Sequence, residues 1–223
     1  MSDILANVPD LDRQFERLWR HYSFISLFGN TLPLDGLAHD YRHILTYVAT
    51  KSARHYRAAR EIVLSAHGLM PGNPGEQANL LILEFPFEFE DCVNSMSRSV
   101  DMIKGLVRQN ALPKSADEKF ATGTTYGKFR EIRNFIEHPI ARLSSNRKAG
   151  QPLRLLPAED CSYIALANNK VTFADTAEVL HTIFDLLTSI VPSFKVEEGR
   201  PDVPQGPLHL AMTVDVKIID REG

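Results

Sequence analysis

Apolar side chains recur at three- and four-residue steps along most of this chain, and only a short late stretch alternates. Phe15, Leu18, Trp19, Tyr22, Ile25 and Phe28 mark a first amphipathic helix, with Asp10 or Asp12 as its cap and Gly29-Asn30 as its end. Trp19 is expected as a core anchor rather than a stacking platform. A second helix runs from Asp35-Gly36 to about His67, with Tyr41, Ile44, Leu45 and Val48 as the apolar face of its first half. The cluster GLMPGNPG, Gly68–Gly75, breaks the chain. A third helix is expected from about Glu76 to Gln109, with Phe89, Val93, Met96, Val100, Ile103 and Val107 facing the core. Pro86 kinks or divides it, since it lacks an N–H and crowds the preceding turn.

Beyond a loop at Leu112–Lys119, Thr124 or Thr125 caps a shorter helix that Pro139 stops. The polar stretch ARLSSNRKAGQP follows, made basic by Arg142, Arg147 and Lys148. Leu153–Leu156, Tyr163–Leu166 and Val171–Phe173 read as short strands, the last two joined by a turn near Asn168-Asn169. Asp175 and Glu178 have the spacing of a capping box, opening a last helix to about Ile190 that buries Val179, Ile183, Leu186, Leu187 and Ile190. Pro192 ends it. A Pro/Gly-rich link leads to Leu208–Asp220, whose alternation predicts a half-exposed strand that pairs with the hairpin or with a partner chain. The fold class expected is mainly α, a four- to five-helix bundle with a small β-hairpin or strand appendage toward the C-terminus. Its helical domain spans residues 1–195 with a β insertion at about 152–173, and residues 196–223 form a linker and C-terminal strand.

Composition narrows the function without naming it. The 223 residues are 43% hydrophobic and 24% charged, enough to bury a core, and the net charge of −3 offers no global basic field for nucleic acid. Two cysteines, Cys92 and Cys161, are too few for a disulfide framework or a cysteine zinc site. The N-terminus lacks the basic start and apolar run of a signal peptide, and no apolar run is long enough to span a bilayer. A cytoplasmic protein with reduced thiols and no membrane partner is expected.

Candidate chemistry concentrates in YGKFREIRNFIEHP, Tyr126–Pro139. At 100° per residue, Phe129, Ile132, Phe135 and Ile136 share one arc of roughly 120°, and Arg130, Glu131, Arg133, Asn134, Glu137 and His138 fill the complementary arc. Arg130, Asn134 and His138 form an i, i+4, i+8 row. Pro139 disfavours the α conformation at His138, which places the imidazole at the last turn. An imidazole beside guanidiniums and a carboxamide suits an acid/base next to an anion clamp; the plain alternative is a solvated polar face. In the second helix, Lys51, Arg54, His55, Arg57 and Arg60 wrap around the axis; this is a solvated face, with Arg54 as a secondary contact for phosphate. Glu84, Glu88, Glu90 and Asp91 suit pairing with Arg54 or Arg130. No histidine stands at helical spacing from those acids, so a carboxylate–histidine metal site finds no support; no metal and no cofactor are expected.

Within that helix, Arg133-Asn134-Phe135-Ile136-Glu137-His138 has the form Arg-x4-His with a polar residue directly after the Arg. In a helical core of this order it resembles the HEPN superfamily (higher eukaryotes and prokaryotes nucleotide-binding domains), over roughly Asp10 to Ile190. Arg60-x6-His67 matches the same loose spacing but lacks the Asn. The resemblance implies a metal-independent endoribonuclease working at a homodimer interface, in a defence or toxin–antitoxin setting. His138 would act as acid or base around a 2′-hydroxyl and the leaving oxygen, Arg133 would hold the phosphate, and Asn134 would fix the imidazole or the phosphate. Arg130, Glu137 and Arg54 would line the substrate, which is RNA or a nucleotide. Toxin members neutralised by a nucleotidyltransferase antitoxin partner often carry a Tyr two residues after the His, where this chain has Ile140. The alternative is a non-catalytic helical module of the same fold that binds a nucleotide or a protein.

Overall fold

Small residues at the right spacing let two long helices approach closely, and the rest of the chain is built on that pair. In the computed structural model, which describes residues 2–11, 13–28, 36–68, 83–121, 123–138 and 152–191, they are α3 (Gly36–Ala66) and α4 (Phe85–Arg108). Ala49, Ser52, Ala53 and Ala59 of α3 and Ser95, Ser99 and Gly105 of α4 are all buried. A Cβ on Gly105 would lie 2.7 Å from the Tyr41 ring, so only glycine leaves room there for the aromatic side chain of α3. The Ser52 hydroxyl donates to the Cys92 carbonyl oxygen at 2.8 Å, which satisfies a buried polar group across the contact.

Around this pair are α1 (Ser2–Asn7), α2 (Gln14–Phe28), a short α5 (Ser115–Glu118), α6 (Thr125–Glu137) and α7 (Phe173–Ile190), with strands β1 (Leu156–Pro157), β2 (Ile164–Leu166) and β3 (Asn169–Val171). The fold is thus mainly helical with a small antiparallel sheet in order β1-β2-β3 near the C-terminal end. Its register pairs Pro157 with Ile164, and Ile164 with Val171. Helices α2 and α7 pack on α3, and α6 packs on α4, α7 and β3. The core is aromatic at its centre: Phe89 stacks on Phe85 with centroids 5.5 Å apart and meets Phe173 edge-on at 5.8 Å. No described helix is long and apolar enough to cross a membrane.

Periodicity located most of the buried faces, with instructive exceptions. Phe15, Leu18 and Tyr22 of α2 and Phe89, Val93, Met96, Val100 and Ile103 of α4 are buried, and Trp19 packs half-buried against the core. Ile44, expected inside, is 43% exposed, whereas Arg42 beside it is fully buried. Helix α1 has no counterpart in the apolar pattern. Asp10 accepts a hydrogen bond from the Leu11 N–H, three residues short of α2, and so does not cap that helix. Pro86 stands in the first turn of α4, where a missing N–H is harmless. The capping box lies three residues upstream of its expected place: Thr172 accepts from the Asp175 N–H at 2.8 Å, and Asp175 accepts from the Thr172 N–H at 2.9 Å. Phe173 therefore begins α7 and does not end a strand. Thr172→Ala is expected to lower stability by about 1 kcal/mol in urea unfolding, through loss of that reciprocal cap.

The basic face of α3 is less solvated than its composition implied. Arg57 donates from Nε to the Leu11 carbonyl oxygen at 3.1 Å and pairs with Glu16, and Arg60 donates to the Val8 carbonyl oxygen at 3.2 Å. The Tyr56 hydroxyl donates to the Pro9 carbonyl oxygen at 2.7 Å. These three side chains pin the connection between α1 and α2 to α3. Gly68, at φ +67°, ends α3 in the left-handed conformation that glycine adopts without strain.

Arg42 is the anomaly of the core. Its Nη1 donates to the Ile190 carbonyl oxygen at 3.3 Å and its guanidinium lies 5.6 Å from the Tyr22 ring centroid, but among the described residues Nε, Nη2 and the Tyr22 hydroxyl have no hydrogen-bond partner. No carboxylate among the described residues answers the charge. Desolvation outweighs one long hydrogen bond at a helix end, so Arg42→Met is expected to raise stability by about 1–2 kcal/mol in chemical denaturation. A fall would show that the contacts to Ile190 and Tyr22 dominate.

The expected break at 69–75, the stop at Pro139, the basic stretch 142–148, the stop at Pro192 and the C-terminal strand lie outside the described residues, as do the side chains of Ile25 and Phe28.

Candidate functional site

Helix α6 has the two faces its spacing implied. Phe129, Ile132 and Phe135 are buried against α4, α7 and β3, and Ile136 is half-buried beside them. Arg130, Glu137 and His138 are exposed, and Glu131, Arg133 and Asn134 are half-buried. Thr124 occupies the N-cap position with extended backbone, but its hydroxyl donates to the Ala121 carbonyl oxygen at 2.7 Å and caps no helical N–H. Two links to α7 hold the N-terminal half instead: the Thr125 hydroxyl donates to Glu178 at 3.0 Å and Lys128 to Asp175 at 2.9 Å.

His138 leaves the helix. Its backbone is at φ −130° and ψ 55°, and its N–H donates to the Asn134 carbonyl oxygen at 3.1 Å as the last turn unwinds. The following proline disfavours the helical conformation at this residue. Among the described residues neither His138 nor Asn134 has a side-chain hydrogen bond. The imidazole thus stands in solvent at a helix end.

Arg133 is held from three sides. Its Nε donates to Glu137 at 2.9 Å, one turn on, and its Nη1 donates to the Ser97 hydroxyl oxygen at 2.7 Å. Asp101, one turn beyond Ser97 on α4, lies 3.7 Å from the same Nη1. The Ser97 hydroxyl also meets the Tyr126 hydroxyl at 3.1 Å, closing a polar chain beneath the helix. Burial pushes the Tyr126 phenol up, outweighing the Ser97 hydrogen bond and the pull of Arg133 and Arg130. The guanidinium is oriented and part-exposed, and its charge is already answered by two carboxylates, so a phosphate there must compete with Glu137 and Asp101.

The residues anticipated for substrate divide accordingly. Arg130 and Glu137 share the solvent face of α6 with His138, and Glu137 serves as the clamp of Arg133. Arg54 is exposed on α3 and is joined to none of them by a hydrogen bond or ion pair. The acids near the start of α4 pair differently from the expectation. Glu88 and Asp91 flank His55, the neighbour of Arg54, at 2.7 Å from Nδ1 and 3.7 Å from Nε2. That contact joins residues 33 positions apart, which helical spacing could not reveal. The other Arg–His match separates in space: Arg60 serves Val8, and the His67 Nε2 faces the Cys161 thiol at 3.5 Å. Among the described residues no three His, Cys, Asp or Glu side chains converge so as to hold a metal ion. Ser97, Asp101 and Tyr126 were not anticipated; the only signal was that Ser97 and Asp101 share a polar i, i+4 row on α4.

No protein-family model matches this chain, and neither does any curated protein or solved structure.

Proposed function

We propose that this protein is a HEPN-like endoribonuclease that needs no metal, with Arg133, Asn134 and His138 as its reacting centre. The observation that carries the reading is the end of α6, where an exposed, unwound histidine follows an arginine already oriented by Ser97 and Glu137. Arg133 holds the scissile phosphate and stabilises its developing charge. His138 takes the proton of the 2′-hydroxyl as the 2′-oxygen bonds to phosphorus, or returns one to the 5′-oxygen as that bond breaks. Asn134, one turn before His138, positions the imidazole or a phosphate oxygen. Arg133 and His138 would lie about 140° apart on an ideal helix, so their convergence on one phosphate draws on the unwinding at His138 or on a second copy of the chain across a two-fold axis. A defence or toxin–antitoxin role, with a nucleotidyltransferase antitoxin as partner, belongs to the same proposal.

The test is incubation of RNA with the purified protein in EDTA, beside His138→Ala. Cleavage by the wild type alone supports the assignment; cleavage absent from both, or equal in both, overturns it. A second reading, a non-catalytic module that binds a nucleotide or a protein through this face, draws on the engagement of Arg133 by Asp101 and Glu137. It is distinguished by RNA or nucleotide binding without cleavage.

A further inference from the structure

A cavity of about 200 Å³ opens beside the end of α6, between the first turns of α4 and the strand region. Phe135 and Ile136 line it from α6, so its wall belongs to the same turns that carry Asn134 and His138. Phe87 and Leu153 also line it, with 66% and 47% of their surfaces exposed. Bulky apolar side chains left in water around a hollow mark a place where something docks. Two charged groups reach the same hollow, Glu90 from α4 and Arg154 from the strand region. Burial, reinforced by the neighbouring Asp91, pushes the Glu90 carboxyl above its usual range. Among the described residues nothing donates a hydrogen bond to it, so a half-buried acceptor waits in an apolar wall.

We propose that this cavity receives an unpaired guanine base, with Phe87 stacked on its face, the Glu90 carboxylate accepting from its N1–H and N2–H, and Arg154 on an adjoining phosphate. The choice follows from donor patterns. Guanine alone among the four common RNA bases presents two adjacent donors on one edge, which match the two oxygens of a carboxylate. Adenine and cytosine offer an amine beside a lone pair, and uracil offers one N–H between two carbonyl oxygens that a carboxylate repels. Stacking on an exposed aromatic ring is how splayed bases are held, and carboxylate pairing is how one of them is selected. The place of the slot in a cleavage reaction, next to the scissile phosphate, rests on the ribonuclease reading; binding of the base does not.

Titration calorimetry of the full chain with GMP, AMP, CMP and UMP tests it. GMP is expected to bind about tenfold or more tightly than AMP, the discrimination one bidentate pair supplies. Glu90→Gln is expected to bring GMP to the level of AMP with AMP unchanged, whereas Phe87→Ala weakens all four alike. Phe87 is largely exposed and Glu90→Gln keeps the size and shape of its side chain, so unfolding midpoints should hold, which separates loss of binding from loss of fold. No GMP binding at millimolar concentration, or GMP binding indifferent to Glu90→Gln, overturns the slot. Glu90-dependent GMP binding without His138-dependent cleavage keeps the slot and removes the ribonuclease reading; the opposite pair of results removes the slot alone.

Discussion

His138→Ala is expected to lower the rate of RNA cleavage in EDTA by about 10²–10⁴-fold, the contribution of a positioned general acid or base. Its unfolding midpoint is expected to match the wild type, because the imidazole is exposed and has no side-chain partner among the described residues. Arg133 will not give so clean a separation. Its guanidinium ties α6 to Ser97 and Asp101 of α4 as well as to Glu137, so Arg133→Ala removes a packing tie along with any phosphate contact. Glu137→Gln offers a finer probe: it loosens one clamp on Arg133 without touching the imidazole. A ribonuclease should then bind phosphate more readily, whereas a binding module that relies on the closed ion pairs should weaken.

Phe89→Ala is expected to cost about 3–5 kcal/mol in equilibrium unfolding, the range for truncating a fully buried aromatic ring. Phe89 is completely buried and touches the rings of both Phe85 and Phe173, so its removal opens a void where α4 meets the start of α7. A domain of ordinary stability has only about 5–15 kcal/mol in hand, so this single change should leave a substantial unfolded fraction on mild heating. Phe89→Leu, which refills part of the space, should recover a good share of the loss. A loss below about 1 kcal/mol for Phe89→Ala would show that the aromatic cluster collapses easily and does not set the spacing of α4 and α7.

The apolar faces of α2, α4, α6 and α7 could be read from spacing because each depends only on the geometry of its own helix. On α6 this was enough to put Phe129, Ile132 and Phe135 inside and Arg130, Glu137 and His138 outside. The position of His138 at an unwinding end was equally local, since the residue before a proline avoids the helical conformation. On α3 spacing placed Leu45 and Val48 inside but also Ile44, which is exposed, and it left Arg57 and Arg60 to solvent. There, small residues against α4 and the pinning of residues 8–11 decided which side faced in. Thr172 is hidden as a cap because Val171–Phe173 also reads as strand, and the reciprocal bond with Asp175 settles where α7 begins.

By itself, then, the order of residues determined a mainly helical chain with a short antiparallel sheet, the inward face of α6, and the grouping of Arg, Asn and His on one turn and a half of helix. These follow from backbone periodicity and turn chemistry, which act over a few residues. Tertiary structure alone decided that Arg133 is clamped by Ser97 and Asp101, that His55 sits between Glu88 and Asp91, that Arg42 is buried with no acid beside it among the described residues, and that Phe87, Glu90 and Arg154 share a hollow beside Phe135. The physical reason is range. A hydrogen bond or ion pair between two helices depends on where their axes pass and how far each is rotated, and that is set by the packing of the whole core.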